Sequence, residues 1–112
     1  DGPRLWRLTA PFVFLSDHVG KIEVPVGFDT DLASVPKFAR WFASVDGPWT
    51  PAAVIHDYLY VRQSVANYGH VDRKMADAVF LEGMAALGVP AYKRWAMWAA
   101  VRVGGGRTYR DD

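Results

Sequence analysis

The hydrophobic period of this chain changes once, near Val35, and that change constrains the fold more than any other feature. Before it, Lys21-Ile22-Glu23-Val24 alternates polar with apolar and puts Ile22 and Val24 on one face, as a half-buried strand does. Phe12-Val13-Phe14-Leu15 is a short apolar run, and Leu5-Trp6-Arg7-Leu8 alternates weakly. Ser16-Asp17-His18-Val19-Gly20 reads as a hairpin loop between the two stronger strands. Pro25 and Gly27 close the second of these, since proline has no N–H for a ladder and glycine admits a turn.

Beyond Val35 the spacing is helical. Ser34 and Pro36 open a short helix running to about Ala43, and Asp46-Gly47-Pro48 breaks it. Thr50 as N-cap with Pro51 at the first position predicts a helix through Ala52–Val65, followed by a loop at Asn67-Tyr68-Gly69. His70 or Asp72 starts a third helix that carries Met75, Val79, Phe80 and Met84 and stops at Gly88-Val89-Pro90. A fourth, Ala91–Val103, ends at Gly104-Gly105-Gly106. The expected architecture is a single α+β domain over residues 1–112, with a small antiparallel sheet in the N-terminal third packed against three to four helices.

Composition narrows the function classes. The 112 residues are 51% hydrophobic, enough for an unaided core. Lysine plus arginine total 13 against 12 acidic residues, so the basic excess of a dedicated nucleic-acid binder is missing and no such partner is expected. With no cysteine, disulfide frameworks, thiolate metal sites and cysteine nucleophiles drop out, and a disulfide-bonded secreted protein is not expected. No apolar run approaches the ~18 residues of a membrane span, and no charged-then-apolar leader opens the sequence.

The densest polar cluster lies in the most apolar helix, Ala52-Ala53-Val54-Ile55-His56-Asp57-Tyr58-Leu59-Tyr60. His56 and Tyr60 are four apart and share a face, while Asp57 is turned about 100° away. Buried polar groups need partners, and the next helix offers Asp77, between Ala76 and Ala78, with Arg73 a turn earlier. A carboxylate on the far nitrogen fixes the imidazole tautomer and makes His56 a candidate general base; Tyr60 is placed to donate to the same carboxylate. The same residues also read as a structural His–Asp–Tyr network stapling two helices. For catalysis, the dyad has to lie beside a carboxylate-lined cavity open to water.

A second cluster is Gly27-Phe28-Asp29-Thr30-Asp31-Leu32-Ala33-Ser34. Two aspartates in a glycine-started loop with free carbonyls suit a hard cation such as calcium; ordinary turn and cap chemistry is the competing reading. His18 and His70 fall in loops as solvated side chains. The last helix, with Trp95, Met97, Trp98 and Val101, reads as core or, less commonly, as a partner- or lipid-facing surface. Arg102, Arg107 and Arg110 read as a solvated basic tail.

The segments Val24–Pro36, Ala53–Tyr60 and Ala76–Met84 resemble a domain-of-unknown-function family from tailed-phage and prophage genomes, in consistent order over about residues 12–106. That resemblance implies a phage particle or its bacterial host as the setting, with other phage structural proteins as partners. His56-Asp57 with Tyr60, and Asp77 on the next helix, is similar to the catalytic helices of phospholipases of the A-two class, in the short bacterial and fungal branch. This second resemblance covers residues 52–86. It implies His56 as the base that activates water, Asp77 orienting it, Tyr60 supporting Asp77, and calcium held by Asp57, Asp31 and the Leu32 carbonyl. Those enzymes are disulfide-bonded and this chain is not.

The expected function is therefore a phage-associated, calcium-dependent lipid esterase acting on phospholipid or another envelope substrate, with Trp41, Phe42 and Trp49 as an apolar rim. Its alternative is a non-enzymatic virion, tail or assembly protein in which the network is structural. A further variant keeps the dyad but cleaves cell-wall amide or ester bonds.

Overall fold

The computed structural model describes residues 6–30, 35, 49–61, 64–106 and 109. Among these residues four strands come first: β1 (Trp6–Arg7), β2 (Phe12–Ser16), β3 (Gly20–Val24) and β4 (Asp29–Thr30). Four helical segments follow among them: α1 (Thr50–Tyr60), the single turn α2 (Val65–Tyr68), α3 (Arg73–Ala86) and α4 (Ala91–Gly104). The fold is α+β, as the change of period requires.

The strands pair antiparallel as two ladders, β2 with β3 and β1 with β4. In the hairpin Phe14 faces Ile22 and Phe12 faces Val24. Ile22 and Val24 are fully buried while Lys21 and Glu23 are exposed, which is the alternation the sequence carries. The turn between β2 and β3 is made at Gly20, whose φ of 93° lies in the left-handed region that favours glycine. The hairpin is anchored to α3 at its tip: Ser16 Oγ donates to Glu82 Oε1 at 2.6 Å and the Asp17 N–H donates to Oε2 at 2.6 Å.

Strand β4 was not expected. The segment around Asp29 reads as a loop, yet Thr30 pairs with Trp6 and Asp29 with Arg7. A period-2 trace was present: Phe28 and Thr30 are buried and Asp29 between them is exposed. The predicted helix over Ser34–Ala43 lies outside the described residues, as do Trp41 and Phe42.

The N-terminus of α1 differs by one residue from the expected cap: Thr50 is the first helical residue and Trp49 precedes it, with no side-chain cap bond. The helix also stops at Tyr60 instead of Val65. Val61 is extended, and Ser64 donates its hydroxyl to the Val61 carbonyl at 2.9 Å. The Ser64 N–H donates to the same carbonyl at 3.2 Å, and the helical turn α2 falls where a loop had been expected. Helix α3 begins as expected, with the Asp72 side chain accepting from the Met75 N–H at 2.8 Å.

Helices α1 and α3 approach closely because their facing residues are small. A Cβ placed on Gly83 would lie 3.2 Å from Ala52 Cβ, tighter than ordinary contact. Ala52, Ala53 and Ala76 are buried at the core, with Leu59, Val79, Phe80, Met84, Met97 and Val101. Alpha-helical backbones at this distance bring side chains at matching heights into direct reach. That is what positions the site.

Candidate functional site

The close α1–α3 packing brings His56, Tyr60 and Asp77 together, as their spacing predicts. His56 Nε2 lies 2.6 Å from Asp77 Oδ1, and the Tyr60 hydroxyl donates to the same oxygen at 2.5 Å. The imidazole sits between the Tyr60 and Phe80 rings, at centroid distances of 4.2 and 4.7 Å. With an ionised carboxylate on Nε2, that nitrogen carries the proton and donates it, so any base chemistry belongs to Nδ1.

The carboxylate has a third partner that the sequence reading placed elsewhere. Arg102, taken for part of a solvated tail, donates from Nη1 to Asp77 Oδ2 at 2.8 Å. The rest of that tail, Arg107 and Arg110, lies outside the described residues. Arg73 completes the cluster: its Nε donates to the Tyr60 hydroxyl at 3.3 Å, and Nη2 donates to the Val101 and Arg102 carbonyls at 2.9 and 2.5 Å. These carbonyls belong to the last turn of α4, where a cation is favoured. Two arginines and one aspartate thus bind three helices to each other.

Burial alone would push the Asp77 carboxyl up, but hydrogen bonds and charge from His56, then the bonds from Tyr60 and Arg102, hold it below the usual carboxylate range. Tyr60 is driven the opposite way. Burial first, then its bond to Asp77 and that residue's charge, raise the hydroxyl far above its ordinary value. Both partners therefore keep the states the network needs: a carboxylate that accepts and a phenol that donates.

Asp57, turned away from the dyad on α1, is also buried, and it accepts from the Thr30 hydroxyl of β4. Thr30 was not among the expected site residues, although its place directly before Asp31 was the available signal. Asp31 and Leu32 themselves lie outside the described residues. Asp57 nevertheless meets the strand whose chain continues into them. Among the described residues, no three histidine, aspartate or glutamate side chains are grouped to hold a metal ion.

Two expectations are corrected. His56 and Asp77 have no exposed surface, so the described imidazole is not beside a cavity open to water. The reason is packing: Tyr60 and Phe80 cover the ring, and Tyr109 lies edge-on to Tyr60 at 5.1 Å while donating to the Val71 carbonyl at 2.8 Å. Trp49, expected on an apolar rim, is 1% exposed and belongs to the core. His18 and His70 are exposed, as loop histidines are.

A family described as protein of unknown function, DUF1353, matches residues 6–101. No curated protein and no solved structure matches the chain.

Proposed function

The chain belongs to the DUF1353 family, and we propose from the site itself that the protein is a hydrolase of lipid carboxylic esters in which His56 acts as general base. The observation that carries this reading is the 2.6 Å contact between His56 Nε2 and Asp77, with Tyr60 on the same carboxylate oxygen. It fixes one tautomer and leaves Nδ1 as the nitrogen that takes a proton from water. Asp77 orients the ring and stabilises the imidazolium that forms. The proton then passes from Nδ1 to the leaving alkoxide as the ester bond breaks.

Asp57 supports the calcium part of the reading. Its carboxylate reaches the end of β4, next to Asp31 and the Leu32 carbonyl in sequence, and such an all-oxygen set suits calcium. Calcium bound there would polarise the ester carbonyl and stabilise the oxyanion. The ring is sealed from water as it stands, so this reading requires the side chains over it to move before water reaches Nδ1. On this reading the substrate belongs to the bacterial envelope and the protein to a phage particle or its host, which is what the phage and phospholipase resemblances imply.

A second reading rests on the zero exposure of His56 and on the Arg102 ion pair, which already balances the Asp77 charge. In it the protein is a non-enzymatic virion, tail or assembly component, and the network only holds the helices together. Fatty-acid release from phospholipid vesicles, with calcium and with a chelator, separates the two. The hydrolase reading expects calcium-dependent release that falls by roughly 10²–10⁴-fold in a folded His56→Ala variant. Release that persists unchanged in that variant, or a wild-type protein that releases nothing, would overturn it.

A further inference from the structure

Four rings stand in successive contact through the helical part of the molecule. Phe80 lies against His56, His56 against Tyr60, and Tyr60 against Tyr109, with centroids 4.7, 4.2 and 5.1 Å apart. The first three are at most 1% exposed, whereas Tyr109, beyond the end of α4, is half-buried. The series therefore has one end in the core and the other at the surface. Two partly exposed arginines flank that outer end: Arg73, which reaches Tyr60, and Arg102, which reaches Asp77.

These three side chains differ in what their displacement breaks. Moving Arg102 takes the counter-charge from a carboxylate with no exposed surface. Moving Arg73 gives up the Val101 and Arg102 carbonyls and the Tyr60 hydroxyl. The chain also passes directly beside its guanidinium, since a Cβ built on Gly106 would lie 3.5 Å from the Arg73 Cζ. Moving Tyr109 breaks no ion pair. Its edge-on contact with Tyr60 and its neutral hydrogen bond to the Val71 carbonyl at 2.8 Å are of the kind that water replaces at modest cost. Openings of that size lie well below global unfolding in free energy. With Tyr109 turned out, the Tyr60 ring meets solvent and the imidazole is one ring from water instead of two.

We propose that the Tyr109 side chain is a latch that keeps water from the His56–Asp77 dyad, and that its outward swing is the local opening through which the imidazole becomes accessible. As a control on hydrolysis this rests on the function proposed above, whereas the seal itself is independent of it.

The test is hydrogen–deuterium exchange at the histidine Cε1–H, read by mass spectrometry of peptides, with the exposed His18 and His70 as references in the same sample. In the wild type His56 should be the slowest of the three. Tyr109→Ala should speed His56 about tenfold or more and leave His18 and His70 unchanged, with no dependence on low urea concentrations, as a local opening requires. Tyr109→Phe keeps the ring over Tyr60 and should stay closer to the wild type than to Tyr109→Ala. If His56 is the base, fatty-acid release by Tyr109→Ala should rise in parallel. Faster exchange with no release from either protein would uphold the latch and end the hydrolase reading. Wild-type His56 exchanging as fast as His18, unchanged His56 exchange in Tyr109→Ala, or an acceleration that follows the urea dependence of global unfolding would each overturn the latch.

Discussion

Asp77 and Asp57 are both buried acids on the α1 interface, and they are joined to different things. Asp77 accepts from three side chains on two helices, His56 and Tyr60 of α1 and Arg102 of α4, and one of these brings a full positive charge. Asp57 is reached from the sheet side, by the Thr30 hydroxyl of β4, and retains 6% exposure. The first acid is embedded where the helices need it whatever the protein does. The second stands at the seam between the helical and β parts, where an added cation would alter the balance. The two acids thus serve different faces of α1, since His56, which meets Asp77, and Asp57 lie about 100° apart around its axis.

The largest effect expected from this contrast is on folding. Asp77→Ala leaves His56, Tyr60 and Arg102 without their shared acceptor, a loss of about 3–5 kcal/mol for breaking a buried pair. Urea denaturation followed by circular dichroism measures it. Because folding lowers the Asp77 carboxyl, its contribution is complete above the ordinary value of 3.8 and is lost as pH falls through the lower, folded value. Wild-type stability should therefore drop on acidification below pH 3.8 with a component that Asp77→Ala lacks. If that variant costs less than the loss of a surface residue, Asp77 is no keystone and the contrast collapses.

Calcium sharpens the other half of the comparison. Ligand held by the native state alone stabilises it by about 2.7 kcal/mol at a hundredfold excess over Kd. A calcium-dependent rise in melting temperature is expected for the wild type, retained in His56→Ala and abolished in Asp57→Asn. Thermal denaturation with calcium, magnesium and chelator measures it. A shift that survives in Asp57→Asn would move the cation elsewhere.

Much of this was legible in the sequence, and the reason is the free energy of burial. A histidine and a tyrosine four apart in a run of alanine, valine and isoleucine have to find a partner, and a lone aspartate between alanines on the next helix is the evident one. The β3 alternation was legible because every second side chain faces the core. What escaped depended on long-range packing. Arg102 sits in a terminal basic segment, and only the fold of α4 back onto α3 turns it inward to Asp77. Thr30 could be read as a turn residue until Trp6, far away in sequence, paired with it. The early end of α1 at Tyr60 goes with the extended Val61, whose carbonyl accepts from both the backbone N–H and the hydroxyl of Ser64.

The smallest effect concerns Tyr60, and it discriminates most finely. Removing its hydroxyl in Tyr60→Phe keeps the ring against His56, and Asp77 keeps His56 and Arg102 as donors. The cost near neutral pH is then about 2–3 kcal/mol, the bond to Asp77 and the longer one from Arg73, still below that of Asp77→Ala. The sign changes with pH. Folding raises the Tyr60 hydroxyl above its ordinary value of 10.0, chiefly through burial and then through Asp77. The unfolded chain therefore ionises first, and the stabilisation that is complete below pH 10.0 is lost as pH rises toward the folded value. Phenylalanine has no proton to lose. The gap between wild type and Tyr60→Phe should close above pH 10 and then reverse. A gap that stays constant from neutral to strongly alkaline pH would mean that the hydroxyl titrates alike in both states. Tyr60 would then not be sealed against Asp77, and the helical half of the comparison would lose its buried character.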